Sequence, residues 1–349
     1  MRLSNPARIL LVLAATALAV GLPIAGSLAR SRKPPVVEAP PPPAPPTPAS
    51  PVGLPDRMIQ DAAAYDGYMR RAVSLSPAFT DAASVSQALS TARAYGSHSL
   101  VRGAVAYGAI AALQDKTFVV AVRDAGNSPE HRAQMVSYIL ANPAYVSVFA
   151  DAAVAAGLAQ RALGPSALRL HATGKAVRQA AYDIQRQGWS KAQVIDLPGR
   201  LAAAEAAAAQ DMPADPERLA EARQLVAGVA PLPISAPPLQ GPYTPLVAHA
   251  LQLAAIAALG EARDDTLDQL SPLTLDEDTS ACLGAAKRNF HQCLAVAKPN
   301  YEDIFCTGQH ALIDTGACMA NAAGVSLPPE PPPPPPLVKK RPLRRRHHG

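Results

Sequence analysis

The residues of this chain best equipped for chemistry crowd into one stretch. Cys282, Cys293, Cys306 and Cys318 are the only cysteines among 349 residues, and His291 and His310 lie between them. Paired as cystine, they would brace a fold in an oxidising compartment. As thiolates with imidazoles, His291, Cys293, Cys306 and His310 read H-x-C…C-x3-H, a donor set that zinc accepts. The metal reading leaves Cys282 and Cys318 idle and lacks the close C-x2-C pair usual in zinc sites. A covalent haem is not indicated, because C-x-x-C-H is missing, and no motif asks for another cofactor.

The surrounding pattern favours cystine. Thr279 or Ser280 can cap a helix reaching about Lys298, Pro299-Asn300 makes a turn, and a second helix is expected from about Tyr301 to Ala322. The cysteines are nearly mirror-placed about that turn. At ~1.5 Å per residue their intervals are roughly 16.5 and 18 Å along the two arms. Antiparallel arms would therefore join Cys293 to Cys306 and Cys282 to Cys318. One misfit remains in this arithmetic. Eleven residues return almost to the same helix face, whereas twelve overshoot it by about 120° at ~100° per residue, so Gly308 and Gly316 are expected to break or rotate the second arm. The geometry is similar to coiled-coil-helix hairpins with paired cysteines, whose spacings are shorter and equal. The likeness covers about forty residues and implies no family.

Whether cystine can form depends on the compartment, and the amino terminus speaks to that. Ile9 to Ala29 is uncharged and follows a head bearing Arg2 and Arg8. The apolar run to Leu22, the break at Pro23 and the small residues Ser27 and Ala29 fit a cleaved secretory signal. The same run also just reaches the roughly 20 apolar residues that a membrane anchor needs. Either way the remainder is expected to be exported, and residues 9–29 are a membrane contact if they stay uncleaved. The next segment, KPPVVEAPPPPAPPTPASPVGLP from Lys33 to Pro55, reads as a disordered, semi-rigid spacer, roughly 70 Å long if fully polyproline II at ~3.1 Å per residue.

From Asp56 onwards the pattern is helical. Apolar residues recur at three- and four-residue steps, as in Leu100, Ala104, Tyr107 and Ala111, and no two-residue alternation is sustained. Ser128-Pro129-Glu130, Asp215-Pro216-Glu217 and Thr244-Pro245 mark helix starts. Gly126-Asn127, Asn142-Pro143, Gly164-Pro165, Gly188 and Pro198-Gly199 mark breaks, which would cut the region into helices of about 12 to 20 residues. The expected fold is all-α, an irregular helical bundle with a C-terminal four-cysteine hairpin, flanked by disordered Pro-rich segments. The expected organisation is a signal or anchor at 1–29, a linker at 30–55 and a helical body at 56–230. A Pro-rich connection at 231–245, either a boundary between two units or a long loop folded onto one continuous body, then leads to a helix plus hairpin at 246–323 and a basic tail at 324–349. Alanine dominates the interior positions, and small side chains bury little area each, so the helices must approach closely.

Candidate catalytic groups are scattered. His98, His131, His171 and His249 fall in separate helices with no acid or nucleophile at an interpretable spacing. Glu130 and Glu217 read as first-turn residues favoured by the helix dipole, and Glu261, Asp264 and Asp265 as a solvated acidic helix end. Trp189, the only tryptophan, reads as a core anchor. Phosphate loops and G-x-S-x-G elbows are absent.

Charge is unevenly placed. The chain carries 32 lysines and arginines against 27 acids, but five of the bases precede residue 34 and six follow residue 338. The body is therefore acidic, which argues against a broad nucleic-acid-binding face. After PPEPPPPPP comes a tip with Lys339, Lys340, Arg341, Arg344, Arg345 and Arg346, attractive to anionic polymers or lipid phosphates. The sequence thus supports a non-enzymatic, exported cell-envelope protein. It would be periplasmic, or anchored in the inner membrane with its body outside. It would act as a helical scaffold or adaptor toward an envelope protein or anionic polymer. The alternatives are a periplasmic cell-wall hydrolase working through one glutamate and a metal- or redox-binding module on the hairpin.

Overall fold

The computed structural model describes residues 51–329, and within them the secondary structure is helical, with one isolated antiparallel bridge between Gln193 and Pro299. Residues 1–50, with the expected signal or anchor and most of the first proline spacer, and residues 330–349, with the basic tip, lie outside them.

The first helices are α1 (Asp56–Val73), α2 (Ala82–Arg93), α3 (Ser97–Ala112), α4 (Lys116–Ala125) and α5 (Pro129–Ala141). The long α6 (Ala152–Ile184) follows, then α7 (Leu197–Ala209), α8 (Pro216–Val226) and α9 (Pro245–Ala258). A short α10 (Leu267–Leu270) leads to the hairpin arm α11 (Glu277–Val296). The second arm is α12 (Asn300–Cys306), a π-helical stretch (Thr307–Asp314) and α13 (Thr315–Ala322).

Local chemistry explains the starts. The side chains of Ser128, Asp215 and Thr244 each accept a backbone amide of the first turn, with Pro129, Pro216 and Pro245 at the first helical position where no amide is needed. Asp81 and Ser84 form a reciprocal capping box on α2.

Two expected breaks do not occur. Pro165 sits inside α6, and Pro198 with Gly199 lies in the first turn of α7, capped by Asp196. An interior proline costs a helix about 3 kcal/mol or more. Burial offsets this in α6, which packs along α3, α9 and all three parts of the second hairpin arm. The result is one helix of 33 residues in place of two.

The connection 231–245 is a long loop laid onto one continuous core. It lies against α6: the Leu239 amide donates to the Ala153 carbonyl at 2.8 Å. α9 then enters the centre beside α3 and α6, and Leu246, Leu251 and Ile256 are fully covered. A helix this apolar on every side has no stable place except inside, so 246–323 shares its core with 56–230. Trp189, expected in the core, is only partly buried and donates from Nε1 to Gln187 Oε1 at 2.7 Å. Among the described residues no single helix is long and apolar enough to cross a membrane.

Candidate functional site: the braced hairpin

Two disulfides close the hairpin, Cys293–Cys306 near the turn and Cys282–Cys318 near the open end, with Cα–Cα distances of 5.7 and 5.8 Å. Asp276, not Thr279 or Ser280, caps α11. Its carboxylate accepts from the Thr279 amide (3.1 Å) and the Thr279 hydroxyl (2.9 Å).

The π stretch between Cys306 and Cys318 answers the twelve-residue overshoot. A π-helix closes i→i+5 bonds and turns by roughly 80° per residue. Over eight such residues it takes back about 160° relative to an α-helix, against the overshoot of about 120°, which brings Cys318 back toward the face of Cys306. Gly308 and Gly316 do not break the arm. They let it lie directly on α6: a Cβ on Gly308 would fall 2.5 Å from the Arg178 amide nitrogen, and one on Gly316 2.5 Å from that of His171. Gly174 of α6 reciprocates against Ile313 and Gly308.

Residues far away in sequence lock both arms. Arg200 of α7 donates from Nη2 to the Leu294 (2.7 Å) and Ala297 (3.0 Å) carbonyls at the end of α11, and from Nη1 to the Asp303 carboxylate of α12. Both side chains of that ion pair are more than nine-tenths buried. Burial pushes the Asp303 carboxyl up to about 6, with Arg200 pulling it back down. Lys287 of α11 donates to the Arg93 carbonyl (2.7 Å) with its ammonium 3.6 Å from the centre of the Tyr95 ring. The Tyr95 hydroxyl bonds the Thr315 hydroxyl at 2.6 Å on the other arm. Desolvation lowers Lys287 to about 7. The turn is held too: the Val194 amide donates to the Lys298 carbonyl, and Asn300 donates to the Ala192 carbonyl from its backbone amide and its side chain.

This arrangement rules on the sequence candidates. Cys293 and Cys306 are bonded to each other, so the set His291, Cys293, Cys306 and His310 has no thiolate to offer zinc. His310 instead contacts Asp314 at 2.8 Å, and no group of three or more His, Cys, Asp or Glu side chains placed for a metal gathers among the described residues. His131 bonds Asn127, and His171 is buried beside Gly316. His249 is lowered by desolvation, partly countered by Asp276. Glu130 is an exposed first-turn acid lowered by its own backbone amide and Ser128. Glu217 pairs with Arg218, Glu261 with Arg132 and Arg263, and Asp265 with Arg263, while Asp264 accepts the Asp56 amide. The buried carboxylates Asp61, Asp276 and Asp303 are likewise bonded, the first to Arg102. The tail residues Lys339, Lys340, Arg341, Arg344, Arg345 and Arg346 lie outside the described residues, as do residues 9–29.

Sequence reasoning missed Arg200, Asp303, Lys287 and Tyr95. Their partners lie up to 220 positions away, and no local spacing encodes such pairs. Two disulfides in one hairpin point to an oxidising, extracytoplasmic compartment. No protein-family model, curated protein or solved structure matches the chain.

Proposed function

We propose that this protein is a non-enzymatic component of the cell envelope. It is exported through residues 1–29, spaced from the membrane by its first proline segment, and acts as a helical scaffold or adaptor. Its basic tip at 339–346 engages anionic envelope components. The doubly cross-linked hairpin is the observation that carries the reading: it suits an oxidising compartment, where a thiol-based metal site would not persist. The bonded state of the buried carboxylates supports a structural role over acid–base catalysis.

The test is intact mass on protein from its native host, with thiol labelling before and after reduction, together with salt extraction of the envelope fraction. Four protected thiols with either the full mass or a loss of about 29 residues is the expected result. On protein freed of residues 1–29, replacing the six tail bases by glutamine should release it at lower salt. Four free thiols on metal-free protein, or a tail replacement that leaves extraction unchanged, would overturn the proposal.

A further inference from the structure

A cavity of about 270 Å³ opens between α1, α3, α6 and the connection that follows α8. On α6, Arg161, Pro165 and Arg169 follow one another at four-residue steps, so they share a face and all line it. Arg70 of α1 lines it as well, with Asp66 one turn earlier. The floor is aromatic: Tyr65 and Tyr107 lie with ring centroids 5.7 Å apart.

Two features of this cavity lack an internal explanation. First, its charge is unbalanced. Three arginines and one aspartate line it, a formal surplus of two positive charges. Asp66 is already held by Arg70 at 2.7 Å and shared with Arg218 at 4.0 Å, and Glu221 pairs with Arg218. Arg161 and Arg169 have no ion pair or hydrogen bond to any described residue. Second, the Tyr65 hydroxyl is buried and weakly satisfied, with the Ser166 hydroxyl as its hydrogen-bonding neighbour. The Ser166 hydroxyl beside it donates to the Leu163 carbonyl at 2.8 Å. A buried hydroxyl short of partners is less stable by up to about 1–3 kcal/mol, and like charges gathered at a cavity repel. A bound oxyanion relieves both.

We propose that this cavity binds a small phosphate monoester. Its phosphoryl group would sit between Arg161 and Arg169, reached by the Tyr65 hydroxyl, and its organic part would lie against Leu232 and Ile234. Arginine suits such a group because its planar fork donates two parallel bonds to phosphoryl oxygens. The surplus of two charges matches a phosphate dianion, and the volume admits a ligand of metabolite size but not a folded polymer. The inference is independent of the adaptor reading, since no hairpin or tail residue takes part.

Calorimetric titration of the full-length chain with glycerol 3-phosphate and with inorganic phosphate tests it, alongside co-sedimentation with phosphatidic acid in phosphatidylcholine vesicles. Saturable binding of glycerol 3-phosphate at one site per chain is expected. The double variant Arg161→Gln/Arg169→Gln should weaken it by about thirtyfold or more, with a melting temperature unchanged or slightly raised, because both side chains are exposed and their removal relieves the repulsion. Tyr65→Phe should weaken binding about fivefold with little change in the melting temperature of the free protein, since the hydroxyl it removes is buried and weakly satisfied. Binding only to phosphatidic acid vesicles, lost in the double variant, would assign the phosphate to a lipid headgroup in the same site. Binding that survives in the double variant would come from the basic tail and overturn the proposal, as would no saturation by any of the three probes.

Discussion

Opening the two disulfides one pair at a time should give unequal losses, because the loops are nested. The bonds span 13 and 36 residues. Taken singly, they constrain the unfolded chain by about 2.9 and 3.8 kcal/mol in the chain-entropy relation. With the inner bond closed, the path from Cys282 to Cys318 shortens to about 24 residues, and the outer bond then contributes about 3.4 kcal/mol. Closing the cycle, the inner bond contributes only about 2.5 kcal/mol when the outer is present, and both together about 6.3 kcal/mol. Each pair contains one buried cysteine, Cys306 or Cys318, while Cys293 is partly buried and Cys282 exposed, so the inner pair loses slightly more packing and the loop difference is read after allowing for it. Urea unfolding of Cys282→Ala/Cys318→Ala, Cys293→Ala/Cys306→Ala and the quadruple variant, followed by circular dichroism without reductant, measures these values. Full curves are needed because an uncrosslinked denatured ensemble raises the slope. The quadruple variant should be marginal, since whole domains have only about 5–15 kcal/mol. An outer-pair loss below about 1 kcal/mol, or one smaller than the inner-pair loss, would refute the nested-loop reasoning.

Other expectations concern how the hairpin is seated. Gly316→Ala should destabilise by about 1–3 kcal/mol or more, because the new methyl meets α6 backbone and not a movable side chain. The same change at the exposed turn residue Gly228 meets no atom, but its positive φ strains any side chain, so Gly284→Ala, facing only the Arg288 guanidinium, is the better control. Asp303→Asn should cost about 3–5 kcal/mol by leaving Arg200 buried without its counter-charge. Asp303→Leu/Arg200→Met should recover much of that, and a double variant worse than the single would contradict the pair's role. Lys287 has a folded pKa near 7 against 10.5 for the free side chain. Its folded pKa is depressed, so its contribution is fully present above about pH 10.5 and is lost as pH falls through about 7. The stability difference between the native chain and Lys287→Met should therefore move in favour of the native chain as pH rises across that window. A flat difference would show that Tyr95 and the Arg93 carbonyl hold the ammonium charged in the fold.

The sequence by itself determined what local chemistry can encode. Three- and four-residue periodicity specified an all-α fold, and Ser128, Asp215 and Thr244 specified helix starts through side-chain oxygens that reach amides two or three residues on. Cysteine spacing about Pro299-Asn300 specified the nested pairs, because a rigid rise per residue fixes which sulfurs can meet. Tertiary structure decided the rest. Gly164-Pro165 reads locally as a stop, yet burial on several sides outweighs one lost hydrogen bond and α6 continues. The π stretch arises because Gly308 and Gly316 must face α6 while Cys318 must face α11, two demands that α-helical pitch cannot meet over twelve residues. Arg200 with Asp303, Lys287 with Tyr95 of the α2–α3 loop, and the arginine-rimmed cavity on α6 join residues from elements remote in the chain. Such pairs leave no local trace, because only the folded packing brings their charges within reach and removes the water between them.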